Sequence, residues 1–301
     1  MLVVACDEVL PRFGALSDAD VTEKGPGDLV TTADRRAEER LTEGLTALLP
    51  GSRVVGEEAV HADAGVLREL DGDRPVWIVD PVDGTANFVR GDERYCMLVA
   101  LATGGKVQAS WTYAPSLGLL ATARLGGGAL YNGRPVRVPG APAVTDADDA
   151  SGTDGSAAGA AGAKAARGSK SASPRTRAAK TAGTAKNAAA RPRLRLTHPT
   201  YLRPEHKDML ARLRTPEFTV EPSTSAGLEY VDLVRGDADA LVYTWENPWD
   251  HAAGLLLLAE AGGTAANLDG SPFALSGGNN LPLIAAANED LTADLTKRLT
   301  A

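Results

Sequence analysis

The sequence predicts an α/β protein, α+β in its first half and α/β in its second, and three patterns carry that reading. From about Leu194 onward, short aliphatic runs alternate with helical stretches, as they do where helices are layered on a sheet. Between residues 97 and 138, strand-like runs succeed one another across Gly- and Pro-marked turns, which reads as an antiparallel meander. Ahead of both, Leu41, Leu45, Leu48 and Leu49 form an apolar stripe spaced for a helix, with Arg35, Arg36, Glu38, Glu39 and Arg40 covering the exposed face.

Taken in order, residues 1 to 13 read as a short helix ended by Gly14. The long helix runs over residues 32–49, with Thr32 as its cap and Pro50-Gly51 as its stop. Val54-Val55 is a short strand that carries Glu57. Val76-Trp77-Ile78-Val79 has the β-branched and aromatic content of a buried strand, which is expected to stop at Asp80. The meander comprises strands over 97–102, 107–113, 118–123 and 135–138. The second half offers strands over 194–197, 218–220, 240–243 and 283–287. Its helices cover 205–214, 225–235 and 250–261, followed by a C-terminal helix.

Residues 1–140 and 193–301 therefore form the two halves, and residues 141–192 between them differ in character. That stretch is built from Ala, Gly, Ser, Thr, Lys and Arg, with no large apolar residue between Val144 and Leu194. Such a composition cannot bury enough surface to offset its ordering entropy, so a disordered, solvated insertion is expected. Its acidic start and basic end leave a charged interaction tail as the second reading.

A chain of 301 residues with 44% hydrophobic content can hold a large core. The net charge of −8 speaks against general nucleic-acid or membrane-surface binding. Cys6 and Cys96 are too few for a disulfide framework, and a reducing cytoplasm is the default. The first ten residues carry Asp7 and Glu8 and no basic region, so no signal peptide is expected, and the longest apolar run, 252–259, is too short for a membrane span.

The most informative segment is Asp80-Pro81-Val82-Asp83-Gly84-Thr85. Two carboxylates three residues apart close an apolar strand, and Pro81 stiffens the turn that aims them. Gly84 permits close backbone approach, and a helix starting near Thr85 would present free N–H groups to an anion. Hard oxygen ligands beside such a seat suit magnesium holding a phosphate. An Asx-rich turn with Thr85 as a helix cap is the alternative for these residues alone.

Asp80-Pro81-Val82-Asp83-Gly84-Thr85-Ala86-Asn87-Phe88 resembles the signature of the inositol monophosphatase family, lithium-sensitive and magnesium-dependent phosphatases. Asp28-Leu29-Val30-Thr31-Thr32-Ala33-Asp34, Gly56-Glu57-Glu58, and Trp249-Asp250-His251-Ala252-Ala253-Gly254 running into Glu260-Ala261-Gly262-Gly263 resemble further family elements, in the family's order. The resemblance covers residues 20–138 and 194–290 and implies a layered αβαβα sugar-phosphatase fold, a homodimer and two or three magnesium ions. Family members usually carry a longer first helix.

Under this resemblance Glu57, Asp80, Asp83, Asp250 and the carbonyl of Val82 would ligate metal. Glu57 and Thr85 would orient the attacking water, with Asp34 in the outer shell and Glu58 behind Glu57. Gly84 and Thr85 would bind phosphate. Alone, Glu57-Glu58 would read as surface charge, Asp250 as a helix N-cap and Asp34 as a first-turn helix acid. His251 has no assigned part, a zinc site is not expected, and Trp249 and Phe88 read as packing residues.

For substrate contacts, the family places an acid seven residues before the last ligand, where this chain has Tyr243, with Glu246 nearby. The small-residue turn Thr224-Ser225-Ala226 stands where the family contacts substrate, so Ser225, Ala226 and Tyr243 are the expected contacts. The expected activity is hydrolysis of inositol monophosphate or a related polyol phosphate. Histidinol-phosphate phosphatase and 3′-phosphoadenosine 5′-phosphate phosphatase are the competing relatives, and a non-catalytic binding protein on the same fold is the reading from another class.

Overall fold

The structure, a computed structural model, describes residues 1–25, 27–141 and 191–301. The chain opens with α1 (Leu2–Val4) and further helical turns through residue 12. A ribbon of β1 (Val21–Gly25) and β2 (Asp28–Thr31) leads into α2 (Thr32–Leu48). The cap of α2 is Thr31, not Thr32. Thr31 has the extended backbone a cap requires, its Oγ1 accepts the Ala33 N–H, and Asp34 accepts the Thr31 N–H in return.

Next come β3 (Arg53–Gly56), α3 (Glu57–Ala62), β4 (Val76–Asp83) and α4 (Thr85–Val89). The meander is β5 (Cys96–Thr103), β6 (Lys106–Ala114), β7 (Leu119–Arg124), β8 (Gly128–Tyr131) and β9 (Arg134–Pro135). These strands form one seven-stranded sheet in the order β3 to β9, parallel only between β3 and β4. Of the strand expected over 135–138, only Pro135 falls in β9; the Val136 N–H still reaches the Ala129 carbonyl, but the Val138 N–H turns away to the Ala261 carbonyl.

The second half contains β10 (Arg193–Leu196), α5 (Pro204–Ala211), β11 (Thr219–Pro222), α6 (Ala226–Arg235), β12 (Ala240–Tyr243) and α7 (Pro248–Glu260). It closes with β13 (Thr264–Ala266), β14 (Leu283–Ala286) and α8 (Glu289–Thr300). Its five-stranded sheet has the order β11-β10-β12-β14-β13, parallel among the first three and antiparallel beyond.

Alternation along β4 and β5 explains the layering. Trp77, Val79, Met97 and Val99 face a core shared with Ala33, Ala37 and Leu41 of α2. Ile78, Leu98 and Ala100 face the opposite way, onto Leu228 and Val231 of α6 and Ala253 and Leu257 of α7. The same core continues to Leu241 and Leu283 of the second sheet. Leu194, Leu196 and Ile284 on that sheet's far face pack with Leu210 of α5 and Leu295 of α8. The layers are thus helix, sheet, helix pair, sheet, helix pair.

β4 does not stop at Asp80 but continues to Asp83 through a bulge. Asp80 lies opposite Leu98 and Asp83 opposite Cys96, so three residues of β4 span two of β5. In a regular strand residues i and i+3 point to opposite faces. The one extra residue turns Asp83 to the same face as Asp80, toward α6 and α7.

The insertion expected over 141–192 lies outside the described residues, apart from 141, 191 and 192. Among the described residues no helix is long and apolar enough to cross a membrane.

Candidate functional site

Three chain segments bring carboxylates to one cavity of about 450 Å³, whose walls include Glu57, Asp80, Asp83, Thr85 and Asp250. Asp80 is buried beneath the β4 bulge, and its Oδ1 accepts the Val82 N–H at 3.0 Å. Asp83 sits against the start of α6. Its Oδ2 accepts from Ser225 Oγ at 2.5 Å, the Gly227 N–H at 2.9 Å and the Cys96 thiol at 3.3 Å, while Oδ1 takes the Ala226 N–H at 3.1 Å. Asp250 stands in the first turn of α7, its Oδ2 accepting from Trp245 Nε1 at 2.7 Å and Asn247 Nδ2 at 3.1 Å. One oxygen from each of Asp80, Asp83 and Asp250 lies within 4.8 Å of the others.

A second acidic group, Asp34, Glu57 and Glu58, is equally close-set. Glu57 is the first residue of α3, and Lys24 from β1 reaches both Glu57 (2.6 Å) and Glu58 (3.0 Å). The start of α3 is held by Glu38 of α2, whose two oxygens accept the Glu58 and Ala59 N–H groups at 2.9 and 2.8 Å. Gly56 is required here because a Cβ would overlap the Glu38 carboxylate. Glu38→Gln leaves only one acceptor for two donors, with an amide NH₂ facing the other. The expected loss is about 1–3 kcal/mol in denaturant unfolding, and an unchanged midpoint would show that Glu38 does not anchor α3.

Thr85 lies where the two groups meet, its Oγ1 3.2 Å from Asp34 Oδ1 and 3.0 Å from the Val82 carbonyl oxygen. Asp34 Oδ2 takes the Thr31 hydroxyl at 2.5 Å. Gly84 starts α4 at φ +85°, a conformation open to glycine, and added bulk there would crowd Ser225 and the Arg94 carbonyl.

The field of the site is strongly negative. Burial, then the neighbouring acids Glu57, Asp83 and Asp250, raise Asp80 well above the usual carboxylate range. Burial also raises Glu57, Asp83, Asp34 (to about 6) and Asp250 (to about 7). Burial opposes charge on Lys24 too, yet Glu57 and Glu58 hold its ammonium above the normal value. One lysine cannot balance so many carboxylates. A donor set made only of carboxylate and carbonyl oxygens suits a hard divalent cation, and Cys96 points to Asp83 rather than joining either group.

Several expected positions need correction. Tyr243 does not face the cavity: it ends β12 under α6, fully buried, and its hydroxyl donates to Glu229 at 2.8 Å. Ser225 is likewise turned inward, its hydroxyl engaged by Asp83, while Ala226 does line the cavity. Trp249 packs against the main core, as expected, and also contributes to the cavity wall. Phe88 is fully buried against Phe13 and Tyr95, as a packing residue should be. His251 is buried and held near pKa 4 by burial, so it is neutral, donating from Nε2 to the Trp245 carbonyl and accepting the Tyr230 hydroxyl at Nδ1.

Lys24, Arg203, Thr244 and Trp245 were missed, and Glu38, expected on the exposed face of its helix, is buried. Lys24 and Glu38 reach partners some 20–34 residues away, beyond any local pattern. Arg203 and Trp245 lie outside strands and α-helices, where no periodicity marks them.

A family model described as the inositol monophosphatase family matches residues 3–300. An inositol-1-monophosphatase of Mesorhizobium japonicum is 30% identical over 288 residues, covering 95% of this chain and 88% of that protein. A histidinol-phosphatase of Chlorobaculum parvum is 40% identical over 129 residues, covering 43% of this chain and 46% of that protein. Among solved structures, the extragenic suppressor protein SuhB of Bartonella henselae superposes with a TM-score of 0.69 at 25% identity, covering 98% of this chain and 93% of that one.

Proposed function

Since the chain belongs to the inositol monophosphatase family and is a phosphoric monoester hydrolase of that fold, we propose that it hydrolyses a small phosphate monoester with magnesium as its cofactor. The observation that carries this reading is the convergence of Glu57, Asp80, Asp83 and Asp250 on one cavity beside Gly84 and Thr85. Asp80, Asp83 and Asp250 would hold one cation; Glu57, Asp80 and the Val82 carbonyl would hold another. Bound magnesium supplies the positive charge that acidifies an attacking water and stabilises a leaving oxygen.

The remaining work falls to the chain. Thr85 has one hydroxyl hydrogen, which it donates to Asp34 or to the Val82 carbonyl, leaving lone pairs to accept from a water in the cavity. Glu57 would hold that water's other side, and Asp34 stands at the end of the hydrogen-bonded line from Thr85. Backbone N–H groups at Gly84 and Thr85 would take phosphate oxygens, with the tight turn at Gly84 keeping side chains out of the way. Lys24 would hold Glu57 in place and partly offset the burial that raises it.

Purified protein assayed against a panel of phosphate monoesters should release phosphate with magnesium and not with a chelator. Magnesium should also raise the melting temperature. Ligand at a hundred times its dissociation constant adds about 2.7 kcal/mol of stability, roughly 4 °C for a chain of this size. Magnesium-independent turnover, or an unmoved melting temperature, would remove the metal assignment.

A further inference from the structure

Asp80, Asp83 and Asp250 face one another in the cavity, but they are not held alike. Backbone N–H groups fix two of them: Val82 on Asp80, and Ala226 and Gly227 on Asp83. Asp250 is reached, among the described residues, by side-chain donors, Trp245 Nε1 at 2.7 Å and Asn247 Nδ2 at 3.1 Å. Both donate to Oδ2, so Oδ1 is the oxygen left to a cation. Resting on the magnesium site of the proposed function, we propose that Trp245 is a positioning residue for that site. Its indole N–H pins Asp250 with Oδ1 turned to the ion.

Such a device is needed because carboxylates this close repel one another without a cation between them. A side chain on the first turn of a helix relieves that repulsion by rotating away, and the ion would then have to pull it back. A fixed donor on one oxygen keeps the ligand aimed beforehand. Trp245 can serve because it is itself held. Its ring lies 4.5 Å from that of Tyr243 and 5.6 Å from that of His251, and its carbonyl oxygen accepts from His251 Nε2 at 3.0 Å. Tyr243 is fully buried, with its hydroxyl on Glu229 at 2.8 Å, so the indole rests on an immobile ring. Asn247 is exposed, and water competes for its longer bond.

Positioning and mere packing lead to opposite rankings of two variants. Trp245 is half-buried, so Trp245→Phe keeps an aromatic ring beside Tyr243 and removes the N–H. Tyr243→Phe leaves that N–H on Asp250 but strips a buried Glu229 oxygen of its donor. If Trp245 only packs, magnesium affinity follows stability, and Tyr243→Phe is the worse variant in both. If Trp245 aims Asp250, Trp245→Phe has the weaker magnesium binding and Tyr243→Phe the lower melting temperature.

Calorimetric titration of magnesium into substrate-free protein reads the affinity apart from any contact between the indole and a substrate. Trp245→Phe should raise the dissociation constant by about ten- to a hundredfold, the scale of losing an outer partner of a metal ligand. Tyr243→Phe should raise it less, while its melting temperature in chelator falls further. The magnesium concentration for half-maximal phosphate release should rise in step with the dissociation constant. In isotope-labelled wild-type protein the Trp245 indole N–H resonance, identified by its contacts with the Tyr243 ring, should shift on the same magnesium titration. Unchanged affinity in Trp245→Phe, an equal or larger loss in Tyr243→Phe, or an indole resonance that ignores magnesium would overturn the inference and leave the phosphatase reading standing. The resonance decides even if Trp245→Phe fails to fold. Wild-type protein that takes up no magnesium would instead sink the metal assignment, and the inference with it.

Discussion

Asp250→Asn is expected to lose turnover by about a thousandfold or more, roughly 4 kcal/mol at the transition state, while the fold stands. The asparagine has nearly the same volume, and its carbonyl oxygen can still accept from Trp245 and Asn247. What disappears is an anionic oxygen facing Asp80 and Asp83, and a neutral amide is a poor ligand for a hard cation. Removing one of several mutually repelling buried carboxylates should leave the melting temperature of metal-free protein unchanged or higher. Asp83→Asn should behave differently. Its carboxylate receives four donors at the β5–α6 junction, and an amide NH₂ would confront one or more of them. About 1–3 kcal/mol of stability should go with the activity. Steady-state rates at saturating magnesium and thermal melts in chelator separate the two variants. Near-normal turnover in Asp250→Asn would show that its carboxylate is a helix-start acid and nothing more.

The contrast between these two aspartates shows what was legible in the sequence. The spacing Asp80-Pro81-Val82-Asp83 was readable because the constraint is local, a stiff turn closing an apolar strand. The bulge that makes spacing three equivalent to spacing two was not, since it depends on pairing with Leu98 and Cys96. The alternation of helices and strands after Leu194 was equally readable, because periodicity is set by each element's own buried face. Counting back from Asp250 reached Tyr243, but the count says nothing about which face of β12 that residue occupies. The strand is buried on both faces, so no polar alternation marks the cavity side. Glu260 illustrates the same limit. As part of a resembling motif it was visible, yet its task is to hold the Gly126 and Gly128 N–H groups, both at 2.7 Å, across more than 130 residues of sequence.

Gly254→Ala is expected to cost about 1–3 kcal/mol, the usual scale of overpacking, and to reduce turnover by more than the fraction unfolded explains. Gly254 lies in α7 where that helix crosses α6, and a Cβ there would overlap the Tyr230 ring. Tyr230 cannot swing aside cheaply, because it is fully buried and its hydroxyl is held by His251. The helices would have to separate instead. That movement reaches the site, since the first turn of α6 holds Asp83 and the first turn of α7 carries Asp250. The glycine thereby helps set the spacing of Asp83, held by α6, and Asp250, a full turn away on α7. The decisive measurement is a double-mutant cycle with Tyr230→Leu, which makes room for the new methyl group. Alone, each substitution should destabilise; together they should cost less than the sum, by at least about 0.5 kcal/mol, and part of the lost turnover should return. Strict additivity, or an alanine variant with normal stability and rate, would mean that this contact does not set the spacing of α6 and α7 and that the spacing of Asp83 and Asp250 is set elsewhere.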